Sequence, residues 1–197
     1  MSIKPKISDR ISQAEKELNR EEVFEIKDIL QVLQDYFNQK DALIDGFPYI
    51  ETDIRKINYK EISRAYGTND EGHIIWIAFV DKEYSSGRKQ SYVAVVGAGK
   101  DIGFSQNERR GTWRVLCHLG VKWNKTQVII IPIRGLKSIG IKREGMKICN
   151  ILECRNGVEH FIGEYLTGKG VPILNLYQHI NYSKNYWDEC KRNDFNV

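Results

Sequence analysis

Apolar residues recur with helical period over the first 40 positions. Ile7, Ile11, Ala14 and Leu18 form one stripe, and Val23, Ile26, Leu30, Leu33 and Phe37 form a second. Asn19 and Glu22 stand between them as a capping pair, which predicts two helices rather than one. The pattern then changes. Asp45–Gly46–Phe47–Pro48 reads as a turn, Ile50 to Ile57 as a strand, and Tyr59 to Tyr66 as a short helix ending at Gly67. Ile74 to Val80 is apolar almost throughout, as in a strand buried on both faces. Ser85–Ser86–Gly87 is a turn and Tyr92 to Val96 a second apolar strand, so this stretch predicts an antiparallel hairpin.

In the second half, Ser105 and Glu108 make a capping box that opens a helix running to about Leu119. Val128 to Ile133 is another buried strand, with Pro132 marking its end or an edge. Lys137 to Leu152 fits neither period. Asn156 to Thr167 is an amphipathic helix with Val158, Phe161, Ile162, Tyr165 and Leu166 on one face, stopped by Gly168 and Gly170. Pro172 to Tyr177 reads as a strand, and the tail as a helix anchored by Trp187. This late alternation points to parallel strands with helices packed on them. The fold class is therefore α/β: a mixed sheet (antiparallel hairpin plus parallel strands) with packed helices and an N-terminal helical pair. Residues 1–40 form the helical segment and 41–197 the α/β domain. The helical pair can pack on its own domain or join two copies as a homodimer.

Composition narrows the class. The 41% apolar and 28% charged make-up of the 197 residues is that of a soluble globular protein. The first residues contain no apolar signal region, and no apolar run can span a bilayer, so a cytoplasmic protein with no membrane partner is expected. Cys117, Cys149, Cys154 and Cys190 then read as reduced thiols. A zinc site from Cys149, Cys154, His160 and Cys190 is the alternative, although their spacing lacks two close pairs.

Charge points to a partner. The chain carries a net +4, yet residues 101–150 hold ten Lys and Arg against three Asp and Glu. A basic stretch with Trp113 and Trp123 inside it suits a surface that meets a polyanion, DNA or RNA. Arg110, Arg114 and His118 fall on one face of the predicted helix, with Val115, Leu116 and Leu119 roughly opposite. Arg109, Lys122, Lys125, Lys142 and Arg143 add phosphate contacts, and either Trp113 or Trp123 can stack on a base. The leading expectation is a nucleic-acid-binding protein, extended to phosphodiester hydrolysis if a catalytic centre accompanies it.

Two centres suggest themselves. Asp81 and Glu83 are two residues apart near the end of a strand, so both carboxylates share a face and can hold Mg²⁺. Such an ion activates water against a phosphodiester. The second centre is the string RNGVEH from Arg155 to His160, which resembles the R-N-x-x-x-H signature of the HEPN family of metal-independent ribonucleases. The resemblance implies that Arg155 steadies the scissile phosphate, Asn156 polarises it and His160 transfers a proton. It covers six residues, and that family is all-helical whereas this chain has at least four apolar strands. His160 is expected on the polar side of its helix.

A different class of function comes from GAGKDIG, residues 97–103, which resembles the nucleotide loop of short-chain dehydrogenases with Asp101 in place of the middle glycine. It implies a small-ligand protein gripping a nucleotide phosphate through Gly97, Gly99, Lys100 and the backbone at Ser105. The glycines alone would also serve a tight turn. A third class is a non-enzymatic interaction module built on the N-terminal helices.

Overall fold

The apolar run from Ile74 becomes the central strand. In the computed structural model, which describes residues 6–67, 73–100, 102, 111–136 and 152–175, β2 (Ile74–Glu83) pairs on one side with β3 (Lys89–Gly99) and on the other with β4 (Lys122–Ile131). β1 (Tyr49–Glu51) borders β4, so the order is β1-β4-β2-β3. Every pairing in this sheet is antiparallel. The expected mixed sheet is thus corrected. β3 and β4 do run in the same direction, but the connection between them passes over β2, so they flank that strand and never pair. The predicted Pro172–Tyr177 strand supplies, in its described part, an isolated parallel bridge between Ile173 and Val93. The N–H groups of Leu174 and Asn175 donate to the carbonyls of Val93 (2.9 Å) and Ala94 (3.0 Å).

Because β2 is buried on both faces, both need cover. Ile75, Ile77 and Phe79 face α2 (Ile26–Phe37) and α5 (Arg155–Gly168). Ile74, Trp76, Ala78 and Val80 face α1 (Ile7–Leu18), α3 (Tyr59–Ala65) and α4 (Gly111–His118). The N-terminal helical pair therefore splits across the sheet. Ala14 of α1 and Ile29 and Leu33 of α2 are buried in opposite core layers of the same chain. No helix among the described residues is long and apolar enough to cross a membrane.

Three boundaries differ from expectation for local reasons. α2 starts at Ile26, not after Asn19, because the Glu25 N–H donates to Asp28 Oδ2 (2.9 Å) and closes the first turn there. Val23 lies outside the helix and is 48% exposed. The strand expected over Ile50–Ile57 stops at Glu51, whose side chain accepts from the Asp53 N–H (2.8 Å) and turns the chain into a short 3₁₀ segment at Ile54–Lys56. β4 begins earlier than Val128, at Lys122, but leaves the ladder between Trp123 and Val128. There Asn124 Oδ1 accepts from the Thr126 N–H (2.9 Å), the Thr126 hydroxyl (2.8 Å) and the Gln127 N–H (3.0 Å). This side-chain turn interrupts the apolar alternation that would have announced the strand.

Gly97 sits opposite Trp76 in the β2–β3 ladder. A Cβ at Gly97 would lie 2.4 Å from the Trp76 ring, and that ring is 5% exposed, so it has nowhere to swing. Gly97→Ala is expected to destabilise the fold by about 1–3 kcal/mol through overpacking. Urea unfolding of the two proteins checks this, and equal midpoints would show that the Trp76 layer can relax.

Candidate functional site

α4 is amphipathic as its spacing predicts. Val115, Leu116 and the following Leu119 are buried, while Arg114, Cys117 and His118 face outward. The turn after it is fixed by Lys82, whose ammonium donates to the Leu119 carbonyl. A cation there also complements the negative end of the helix. Lys122 opens β4 directly afterwards, and Lys125 projects from the Asn124–Gln127 turn; both are exposed. The side chains of Arg114, His118 and Lys122 make no hydrogen bond or ion pair with another described residue. Trp113 and Trp123 stack on each other, with centroids 5.9 Å apart and planes 13° from parallel. Trp123 is 8% exposed and belongs to the core, so only the half-buried Trp113 retains access to solvent. Ser105, Arg109, Arg110, Lys142 and Arg143 lie outside the described residues.

The two carboxylates at the end of β2 differ in their surroundings. Asp81 Oδ1 accepts from Ser91 Oγ (2.7 Å) in β3 and from Asn124 Nδ2 (3.2 Å) in β4, so it ties three strands together. Glu83 is exposed and stands opposite Lys89. Among the described residues no three His, Cys, Asp or Glu side chains converge to hold a metal ion.

Arg155 and His160 do not converge. Five helical residues turn by about 500°, which leaves the two side chains roughly 140° apart on α5. Arg155 instead donates to His73 Nδ1 at 3.1 Å, across the start of β2. A guanidinium only donates, so the His73 ring proton sits on Nε2. His160 is buried, 6% exposed, with Nε2 3.6 Å from Glu164 Oε1, and not at the surface as its helix position suggested. Asn156 is half-buried beside it. Cys154, buried just before α5, is disulfide-bonded to a cysteine outside the described residues. That bond corrects the expectation of four reduced thiols and removes Cys154 from any zinc set. Cys117 is a free, exposed thiol. Cys149 and Cys190 lie outside the described residues.

The first three residues of the glycine segment are strand. Gly97 and Gly99 both lie in β3, opposite Trp76 and Ile74. Contact with Trp76 accounts for Gly97 without any phosphate. Lys100, the next residue, is exposed and lines a cavity of about 340 Å³ together with Arg55, Lys56, Asn58, Tyr59 and Lys60. A larger cavity of about 450 Å³ at the start of α2 mixes Glu25 with Lys27, Arg88 and Lys89 and contains none of the predicted site residues. The basic cavity was missed by a sequence reading because its cations come from two segments about forty positions apart. His73 was missed because nothing local distinguishes a histidine at the head of an apolar strand.

No protein-family model, curated protein or solved structure matches the chain.

Glu159, one turn after Arg155 on α5, is the most perturbed carboxyl described. Burial pushes it up to about 8, and the Arg155 guanidinium only partly offsets this. Its ordinary value is 4.5. Between those two values the unfolded chain ionises while the folded one keeps its proton, so stability falls as pH rises through that window. The loss is at most about 1.4 kcal/mol per pH unit for one such group. Glu159→Gln is expected to remove this slope and to leave the variant more stable than the natural protein at pH 8. Urea unfolding across the window checks this, and parallel curves for the two proteins would show that the carboxyl is not desolvated.

Proposed function

We propose that the chain is a nucleic-acid-binding protein that engages phosphates through the outer face of α4 and the start of β4. One observation carries the reading: Arg114, His118 and Lys122 are exposed around one turn and none makes a described ion pair, although Asp81 is the ladder partner of Lys122. Cations not held in ion pairs exchange bound counterions readily for phosphate, which is the main source of affinity for nucleic acid. Arg114 brings a planar fork that matches two phosphate oxygens, and Lys122 a compact charge. The half-buried Trp113, backed by Trp123, offers one edge for contact with a base. The reading is of a binding protein. Arg155 and His160 point to different sides of α5, and no third described ligand joins Asp81 and Glu83, so the reading stops at binding.

The test is an anisotropy titration against labelled single- and double-stranded DNA and RNA at low and moderate salt. Arg114→Ala/His118→Ala/Lys122→Ala is expected to weaken binding about tenfold or more at low salt and to reduce the logarithmic salt slope by about two. All three side chains are exposed, so thermal stability should be retained. Equal affinity and equal slope in the triple variant would remove the α4 face from the reading, and no binding at low salt would remove the reading itself.

A further inference from the structure

Among the described aromatic side chains, Phe47 alone is more than half exposed, at 54%. Its neighbours in the chain force it outward. Gly46 presses on the core: a Cβ there would lie 2.6 Å from Ile133 Cδ1 and 2.7 Å from Phe37 Cε1. Pro48 is buried. Side chains alternate along extended chain, so Phe47 is turned to the face opposite both. Its N–H donates to the Pro132 carbonyl (3.1 Å), which fixes it just beyond the end of β4.

Two more rings meet it there. Phe47 stacks on Tyr66, the residue after α3, with centroids 5.8 Å apart and planes 14° from parallel. Tyr49 of β1 lies 6.5 Å away on its other contact. A single exposed apolar side chain is ordinary, whereas rings gathered at one exposed spot form a contact surface. The same helix carries charge to this spot. Tyr59 and Ile62 of α3 pack on the core, and Lys60 and Arg64 are exposed, one turn apart and roughly 40° from each other around the axis. Their side chains make no hydrogen bond or ion pair with another described residue. At 1.5 Å of rise per residue, both lie within roughly 10 Å of Tyr66 along the helix. Of the nearby carboxylates, Glu61 sits roughly 60° further round α3 from Arg64, and Asp45 is paired with Arg134 at 3.1 Å.

We propose that the Phe47–Tyr66 stack holds an unpaired base of a single-stranded nucleic acid whose backbone follows the outer face of α3. The inference rests on the nucleic-acid reading above and narrows it to the single-stranded form. A ring pair so close to parallel is extended by another planar π-system, which every base offers and an aliphatic side chain does not. Inside a duplex each base is enclosed by its stacked neighbours, so only an unpaired base reaches the ring. Lys60 and Arg64 stand where the phosphates of that strand would pass. α3 and α4 cover the same face of the sheet, so one strand can touch both.

Anisotropy titration of the full chain with labelled oligo(dT), with a duplex of equal length and with an abasic strand tests the proposal. Phe47→Ala/Tyr66→Ala is expected to weaken oligo(dT) binding about tenfold or more. Duplex affinity, abasic-strand affinity and the salt slope should all be unchanged, because no cation is removed. Phe47→Trp keeps a ring in place and reads the contact without truncation. It is expected to bind oligo(dT) as the natural protein does, with its tryptophan fluorescence quenched more strongly than that of the natural protein. Undiminished oligo(dT) affinity in the double variant, equal losses for strand and duplex, or no added quenching in Phe47→Trp would overturn the proposal. Quenching of Phe47→Trp by a proline-rich peptide and not by oligo(dT) would overturn it in favour of a peptide groove. Failure of the natural protein to bind any nucleic acid removes the parent reading and this proposal together, whereas full oligo(dT) affinity in the double variant removes this proposal alone.

Discussion

A strand with apolar side chains on both faces cannot present either face to water, and β2 imposes that constraint on the whole chain. From Ile74 to Val80 every residue is buried. Helices must therefore cover the sheet twice, which is why α1 and α2, consecutive in sequence, lie on opposite sides of it. The same constraint excludes chemistry from the sheet faces. Polar function is left to the outer surfaces of the helices, to the turns at the strand ends and to the connections that run across them. Both basic sites obey this: one lies on the outside of α4, the other beside the chain that leaves β3.

The polar groups that do enter the interior act as ties. Asp81 joins β3 and β4 to β2 through Ser91 and Asn124. Asn175, 1% exposed, donates to Thr112 Oγ1 (2.8 Å) and accepts from Arg10 Nη2 (2.7 Å), joining α1, α4 and the segment after Ile173. Buried polar groups are tolerated only when their partners are present, so such ties fix geometry more than they add stability. Helices in proteins are held mainly by tertiary packing of their apolar face, and α4 follows this. Its basic face owes its position to Val115 and Leu116 in the core and to the Thr112–Asn175 bond beside them. That face is thus set by residues that carry no charge.

Periodicity made the elements legible because it reports which side of each residue is dry. β2, β3, α3 and α5 all fall where their spacing puts them. Pairing is a different quantity. Nothing in the run Val128–Ile133 says whether its neighbour will be β2 or a later strand, because a strand buried on both faces is equally apolar in either arrangement. The antiparallel sheet follows from β4 entering between β1 and β2, a choice made by tertiary packing. Asp81 shows the same limit at the level of a site. A carboxylate at a strand end reads as a metal ligand, and its hydrogen bonds to Ser91 and Asn124, ten and forty-three positions away, show in the fold alone.

Charge was the least legible property, since density along the chain and density in space are different things. Within the basic stretch from residue 101 to 150, Lys122 opens β4 and Arg134 lies three residues beyond its end, with a strand of roughly 30 Å between them. Arg134 pairs with Asp45 at 3.1 Å, away from α4. A strand traversing the molecule carries its flanking charges to opposite edges and divides the apparent cluster. Conversely, Lys100 lines one cavity with Arg55, Lys56 and Lys60, beside the hydrogen bond from the Ile102 N–H to Tyr59 and the core contacts of both residues. Packing between segments forty positions apart thus assembles a concentration of charge that a sequence window would not contain.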